Sequence, residues 1–293
     1  MELDYIKMKQ IKPALAGDIR EAQSLLKIDT FPDENAVHDV RVLMKKARAI
    51  FRLTAPQLDV EFAEREKQAL REAGRIMSSW RETSVMRKTL KYLKKDHPDI
   101  FSKLEDNEKL VSLMAKPVQV QILPSDIQGD LQRIIGILNK TGYRIRFEPM
   151  NNLDPQLLIK ELEATYDRVV NNYLVCRNNP KQSLIHELRK SSKDFLYQLW
   201  FFRPLNPSVI KALEKRLDTM TQNLGKYNDL SQLVRTLDYK YKYLTNQPAL
   251  DELVLVIRGE QDQYLSKVWP VAYKIFCPGQ KLVNVLGFKL LFI

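Results

Sequence analysis

The sequence predicts an all-α protein. Glycine is scarce, with 9 in 293 residues, too few for the tight turns of a β-rich fold. Long stretches are dominated by Leu, Lys, Glu, Gln, Ala and Arg, which favour helix. No alternation of strand and helix patterns announces a parallel sheet. Hydrophobic residues make up 44%, an ordinary value for a chain that buries a core.

The elements follow in order. A first helix over residues 3–27 sets Leu15, Ile19, Ala22 and Leu26 on one face. Thr30-Phe31-Pro32-Asp33 breaks it. A second helix covers about 33–53 and stops near Pro56, a third covers 60–79, and a fourth covers 81–95 and ends before His97-Pro98. A shorter helical piece is expected over 98–114. AKPVQVQILPSD, with two prolines, reads as a loop, and 126–140 as helix. TGYRIRFEPMNNLDP, residues 141–155, holds Gly, two Pro and an Asn-Asn pair. It is the predicted boundary between halves 1–150 and 151–293, with a short extended piece at Tyr143 to Phe147. Helices resume over 155–178, 181–202, 207–225, 228–246 and 248–275. The tail KLVNVLGFKLLFI is apolar but short, and is expected as a strand or a packed extension.

Lys and Arg number 47 against 36 Asp and Glu, a net charge of +11. That predicts affinity for polyanions: nucleic acid, an acidic membrane surface, or phosphate polymers. Cys176 and Cys277 sit in no metal-ligand spacing and form no disulfide framework, so a reduced, cytoplasmic protein is the default. The opening MELDYIKMKQ carries acids and no apolar signal core. No apolar run reaches the roughly 18 residues of a membrane span.

The second helix carries a distinct pattern in AVHDVRVLMKKARAIFRL, residues 36–53. At about 100° per residue, His38, Arg41, Lys45, Arg48 and Arg52 share an arc of roughly 80°. Val40, Leu43, Ala47, Ile50 and Phe51 lie on a different stripe, between about 120° and 220°. Stacked like charges cost a few tenths of a kcal/mol per pair, and a solvated face would interleave acids. No stripe position is acidic, so an external polyanion is expected to supply the negative charge. One cation per turn, about 5.4 Å apart, suits a chain of phosphates.

The pattern recurs half a chain later. IHELRKSSKDFLYQLWFF, residues 185–202, repeats His, acid, aliphatic, Arg as His186-Glu187-Leu188-Arg189, with Lys193 where the first copy has Lys45. Two of the three histidines in the chain fall at this repeated position. The second stripe is shorter: Lys190 lies at its margin, and Leu196 and Trp200 stand where Arg48 and Arg52 stand in the first copy. A basic stripe on one helix is ordinary surface, and a lone His is ordinarily a packing residue. The repetition argues against both.

These residues resemble the CHAD family, named for conserved histidines on an α-helical domain. The resemblance covers about residues 3 to 275. It includes His38, Arg41, Lys45 and Arg48 in one copy and His186, Arg189 and Lys193 in the other. Arg81-Glu82 and Leu224-Gly225 with Asn228-Asp229 look like the family's turns at the start of each last helix pair. Leu196 and Glu82 depart from the pattern. The resemblance implies two antiparallel four-helix bundles related by a pseudo-two-fold axis, with the His-bearing helices meeting around a basic cavity. It also implies inorganic polyphosphate as ligand, location at polyphosphate granules, and a binding module rather than an enzyme. The CYTH triphosphatase domain often fused to the family is marked by an ExExK strand. The nearest match here, Glu161-Leu162-Glu163, continues as Ala164-Thr165 and sits in a predicted helix.

Further cations could join the site: Arg71 and Arg75 on the third helix, Lys215 and Arg216 in its counterpart, and more weakly Lys12 and Arg20. Each reads equally well as solvent-facing charge. Near many cations a histidine without ligand is held neutral, and a bound polyanion favours its protonation. His38 and His186 either donate to phosphate in that way or orient neighbouring side chains. Two rival functions are open. An enzyme would need clustered carboxylates, a P-loop or a metal site, and the sequence shows none, which leaves phosphohistidine chemistry as its remaining route. A nucleic-acid binder fits the charge, but the aromatics sit at core-like helical spacing and are not interleaved with basic residues for stacking.

Overall fold

The computed structural model describes residues 8–27, 32–115, 125–241 and 247–287. Among them there is no strand. The main helices are α1 (Ile11–Ser24), α2 (Glu34–Thr54), α3 (Val60–Asp96), α4 (Pro98–Ser102), α5 (Glu108–Met114), α6 (Ser125–Phe147), α7 (Pro155–Asn178), α8 (Gln182–Leu199), α9 (Pro207–Tyr241), α10 (Gln247–Phe276) and α11 (Leu282–Val285). Their starts are written locally. Asp33 caps α2 by accepting from the backbone N–H groups of Asn35 and Ala36, and Asp59 caps α3 through Phe62 N–H. Asp154 caps α7, where Pro155 occupies a position whose missing N–H costs nothing.

The helices close into two rings of neighbours. In the first, α1 packs on α2, α2 on α3, α3 on α6 and α6 on α1. In the second, α7, α8, α9 and α10 pack in the same cyclic order. The rings are joined chiefly by α2 lying against α8. One apolar core runs through both and includes Leu15, Phe51, Leu70, Tyr166, Phe195 and Phe276. Each is closed off from water, and truncating a buried phenylalanine typically costs about 3–5 kcal/mol. A second cluster ties the far ends of α3 and α9 to α4, α5 and α10 through Leu90, Phe101, Leu110, Leu233 and Leu253.

The apolar faces predicted for α1 and α2 are buried as expected, Leu15, Ile19, Ala22 and Leu26 on one and Val40, Leu43, Ala47, Ile50 and Phe51 on the other. Four local expectations are corrected. The third and fourth predicted helices are one helix, α3, and those over 207–225 and 228–246 are likewise one, α9. The turns expected at Arg81-Glu82 and at Gly225 to Asp229 therefore lie inside continuous helix. SSWRETS holds neither Gly nor Pro, and a single Gly225 costs a helix only about 1 kcal/mol, less than the packing on either side returns. The extended piece at Tyr143 to Phe147 is the last turn and a half of α6. Gly142 lies within the helix where α1 packs closely: a Cβ on it would meet Ile19 Cγ2 at 3.3 Å. For the described part of the tail the strand reading is corrected and the packed extension holds: it is the short helix α11, with Leu282 and Leu286 packed on the core. The beginning of the predicted first helix, residues 3–7, and most of the loop AKPVQVQILPSD lie outside the described residues.

Buried charge pins the rings. Glu66 on α3 is fully buried and accepts from Thr141 Oγ1 at 2.7 Å and Arg144 Nη1 at 2.9 Å on α6. Glu214 on α9 accepts two bonds from Arg203 Nε, at 2.7 and 2.9 Å. Replacing Glu66 with alanine leaves Thr141 and Arg144 without their acceptor, and is expected to destabilise the protein by about 2–3 kcal/mol. Glu64→Ala, which removes an exposed acid two residues away, should change little; paired thermal or urea unfolding checks both.

Candidate functional site

The two His-bearing helices meet along one seam. Gln198 Nε2 on α8 donates to the Ala49 carbonyl on α2 at 3.1 Å, and Arg52 Nη1 pairs with Asp194 at 3.0 Å. Arg52 and Asp194 are 25% and 12% exposed, so their attraction is less screened than at an open surface. The acid absent from the α2 stripe is thus supplied in part from α8. The expectation that an external polyanion alone neutralises the stripe is corrected at Arg52.

A groove of about 860 Å³ opens on one side of this seam. Arg41 and Lys45 reach it from α2, His186 and Arg189 from α8, and Arg235 from α9. Ser78 of α3 and Asn228 of α9 also line it, with Glu187 and Asp229 as its acids. The arginines are fixed by the long helix of their own ring. Arg41 Nη1 donates to the Gly74 carbonyl and, at 2.8 Å, to Ser78 Oγ. Arg189 Nε donates to the Thr221 carbonyl at 3.3 Å. The Arg189 guanidinium lies over Gly225, where a Cβ would come within 3.2 Å of Nε. Arg235 Nη2 is held by Gln182 Oε1 at 2.6 Å.

A smaller cup of about 310 Å³ follows along the same two helices. Arg48 and Arg52 of α2, Arg71 of α3 and Lys190 of α8 line it. The structure thus divides the predicted stripe, with Arg41 and Lys45 in the groove and Arg48 and Arg52 in the cup. A third hollow of about 810 Å³ lies on the opposite flank, floored by Ile50, Leu196, Trp200 and Phe201, and it is this hollow that Lys215 lines.

The remaining sequence candidates are placed elsewhere. His38, Arg75 and Arg216 are exposed and line none of these hollows. Lys193 pairs with Asp218 at 2.9 Å. Lys12 caps the end of α6 by donating to the carbonyls of Arg146 and Glu148. Arg235, Arg168 and Asp194 were missed. Arg235 belongs to a polar row, Gly225, Asn228, Gln232 and Arg235, at helical spacing. That row is visible once α9 is read as one helix, and a break at 225–228 hides it. Arg168 and Asp194 carry no pattern of their own.

His186 stands at the groove's lip with an exposed side chain, yet partial burial of its ring is the largest influence and lowers its pKa below the ordinary histidine value. Arg189, Lys190 and Lys45 lower it further, and Glu187 opposes them. Without a ligand the neutral imidazole is favoured, with desolvation rather than the cations as the leading cause. Burial also raises the Asp194 pKa, against the pull of Arg52, Arg48, Lys190 and Arg168.

Among the described residues no three His, Cys, Asp or Glu side chains come together as a metal site, and no helix is long and apolar enough to cross a membrane. The CHAD-domain profile matches residues 14–238, and the chain belongs to that family. Comparison with curated proteins gives no significant match.

Lys45→Ala is expected to raise the His186 pKa, because a neighbouring positive charge is removed, and Glu187→Gln to lower it, because an opposing acid is lost. Proton NMR titration reads both, with three histidines in the chain to resolve.

Proposed function

We infer that the chain binds inorganic polyphosphate along the groove between α2 and α8. We further infer that this binding places it at polyphosphate granules in the cytoplasm, as a binding module without catalysis of its own. The CHAD family is one associated with polyphosphate binding. The observation that carries the reading is the convergence of Arg41 and Lys45 from α2 with His186 and Arg189 from α8 on one groove, joined by Arg235. Arginine grips phosphate oxygens in pairs and lysine adds point charge. In this reading residues 1–150 and 151–293 are two halves of an internal repeat, each a four-helix bundle, which deliver equivalent helices to the seam. Histidine protonation accompanies ligand uptake, so His186 gains a proton as a polyanion enters.

Nucleic acid is disfavoured on chemistry. The groove lining, among the described residues, holds no Phe, Tyr or Trp on which a base could stack. A phosphate polymer needs no such platform.

The test is titration with long-chain polyphosphate at two salt concentrations, with RNA as competitor, for the wild type and for Lys45→Ala with Arg235→Ala. These two residues are preferable to Arg41 and Arg189, whose part-buried bonds go to backbone carbonyls of α3 and α9, whereas Arg235 is tied to Gln182 by an exposed side-chain bond. The double variant should bind more weakly and lose about one unit of salt slope per contact removed, by the counterion-release argument for linear polyanions. Binding that ignores the substitutions, or that RNA displaces at equal charge, overturns the reading. A gentler variant probes Arg189 through its neighbour. Gly225→Ala favours helix by about 1 kcal/mol but crowds the guanidinium and its bond to the Thr221 carbonyl, so affinity should fall with little net change in melting temperature.

A further inference from the structure

The cup beside the groove has an excess of positive charge that the protein itself does not neutralise. Its three acids are each engaged by a different cation: Glu64 by Lys67, Glu187 by Lys190 at 3.2 Å, and Asp194 by Arg52 at 3.0 Å. Arg48, Arg71 and Arg168 are the surplus, brought to one hollow by α2, α3 and α7. Among the described residues none of the three forms an ion pair with an acid. Arg48 is partly withdrawn from water, with Arg52 and Arg71 acting against its charge and Asp194 supporting it. Three guanidinium groups lining one small, polar hollow are mutually unfavourable until an anion enters, and their planar forks suit phosphate oxygens.

The opposite flank shows that this is not a general property of a basic chain. Counting from His38 and from His186, Arg48 corresponds to Leu196 and Arg52 to Trp200, and both of those line the 810 Å³ hollow. There the cations Lys46, Arg203, Lys211 and Lys215 are matched by Asp18, Glu21, Glu214 and Asp218. One flank has kept cations where the other has an apolar floor and balanced charge.

We propose that the cup formed by Arg48, Arg71 and Arg168 is a second phosphate site, distinct from the central groove and present on one flank alone, that takes a compact oligophosphate of about tripolyphosphate size. The choice of a phosphate polymer as ligand class rests on the proposed function; the existence of a separate anion site rests on the cup itself. Glu187 lines both hollows, and Lys45 and Arg48 are one helical turn apart, so groove and cup are neighbours on one track. A long chain engages both, and a short one is held in the cup.

The experiment is calorimetric titration of the full chain with tripolyphosphate and with long-chain polyphosphate. The variants are Arg71→Ala with Arg168→Ala, Lys45→Ala with Arg235→Ala, and, as a flank control, Lys46→Ala with Lys215→Ala. Arg71 and Arg168 are both exposed, so their removal should leave the melting temperature unchanged. The cup variant is expected to weaken tripolyphosphate by about tenfold or more, the equivalent of one charge-assisted contact, with the groove variant and the flank control near wild type. No tripolyphosphate binding by the wild type, or an equal loss in the cup variant and the flank control, overturns the proposal. Failure of the groove reading looks different: long-chain binding survives the Lys45 and Arg235 substitutions while tripolyphosphate still depends on Arg71 and Arg168. Displacement of bound tripolyphosphate by the long polymer identifies a chain segment as the occupant. Simultaneous binding identifies a free oligophosphate, and both outcomes support the site.

Discussion

The seam between α2 and α8 is the constraint on which the rest of the structure depends. It joins two rings of helices, and it does so with polar links, Arg52 to Asp194 and Gln198 to the Ala49 carbonyl, set among buried apolar residues such as Ala47 and Phe195. Charges partly withdrawn from water lose hydration, and their mutual attraction offsets that loss only when geometry and further hydrogen bonds are in place. Such a pair therefore favours one register of the two helices over its neighbours. Once the register is set, the positions of every other cation on α2 and α8 follow, because they lie on the same rigid cylinders.

The arginines that face the groove are held before any ligand arrives. Arg41 is tied to Gly74 and Ser78, and Arg189 to Thr221 and the open face of Gly225. A long side chain that is already ordered gives up less conformational freedom on binding than one waving in solvent. The same bonds fasten α2 to α3 and α8 to α9, so these residues serve packing and site together. The sequence alternatives, solvated cation or ligand-binding cation, are therefore incomplete for them.

The flanks of the seam differ in chemistry although α2 and α8 carry similar sequence patterns. Arg48 and Arg52 on one side correspond to Leu196 and Trp200 on the other, and the hollows differ accordingly, one small and cationic and one larger with an apolar floor. Two differences between the helices are enough, because helical geometry sends residues four positions apart onto the same face, where they act on one hollow.

The sequence by itself determined the helical class, the apolar faces of α1 and α2, the cationic stripe of α2 and its weaker copy on α8. These depend on periodicity within one helix, and periodicity is local information. Where turn signals were weak, at Arg81-Glu82 and Gly225 to Asp229, local reading inserted breaks that the long helices α3 and α9 do not have, since packing along their length outweighs one unfavourable residue. Only the tertiary structure decided that the stripe is shared between a groove and a cup, that His38 and Arg75 stand outside both, and that Arg168, Arg235 and Asp194 belong with them. Those three residues come from separate helices and carry no joint pattern along the chain. They are brought together by the crossing of helices, which is fixed by the core and the seam and not by any stretch of neighbouring residues.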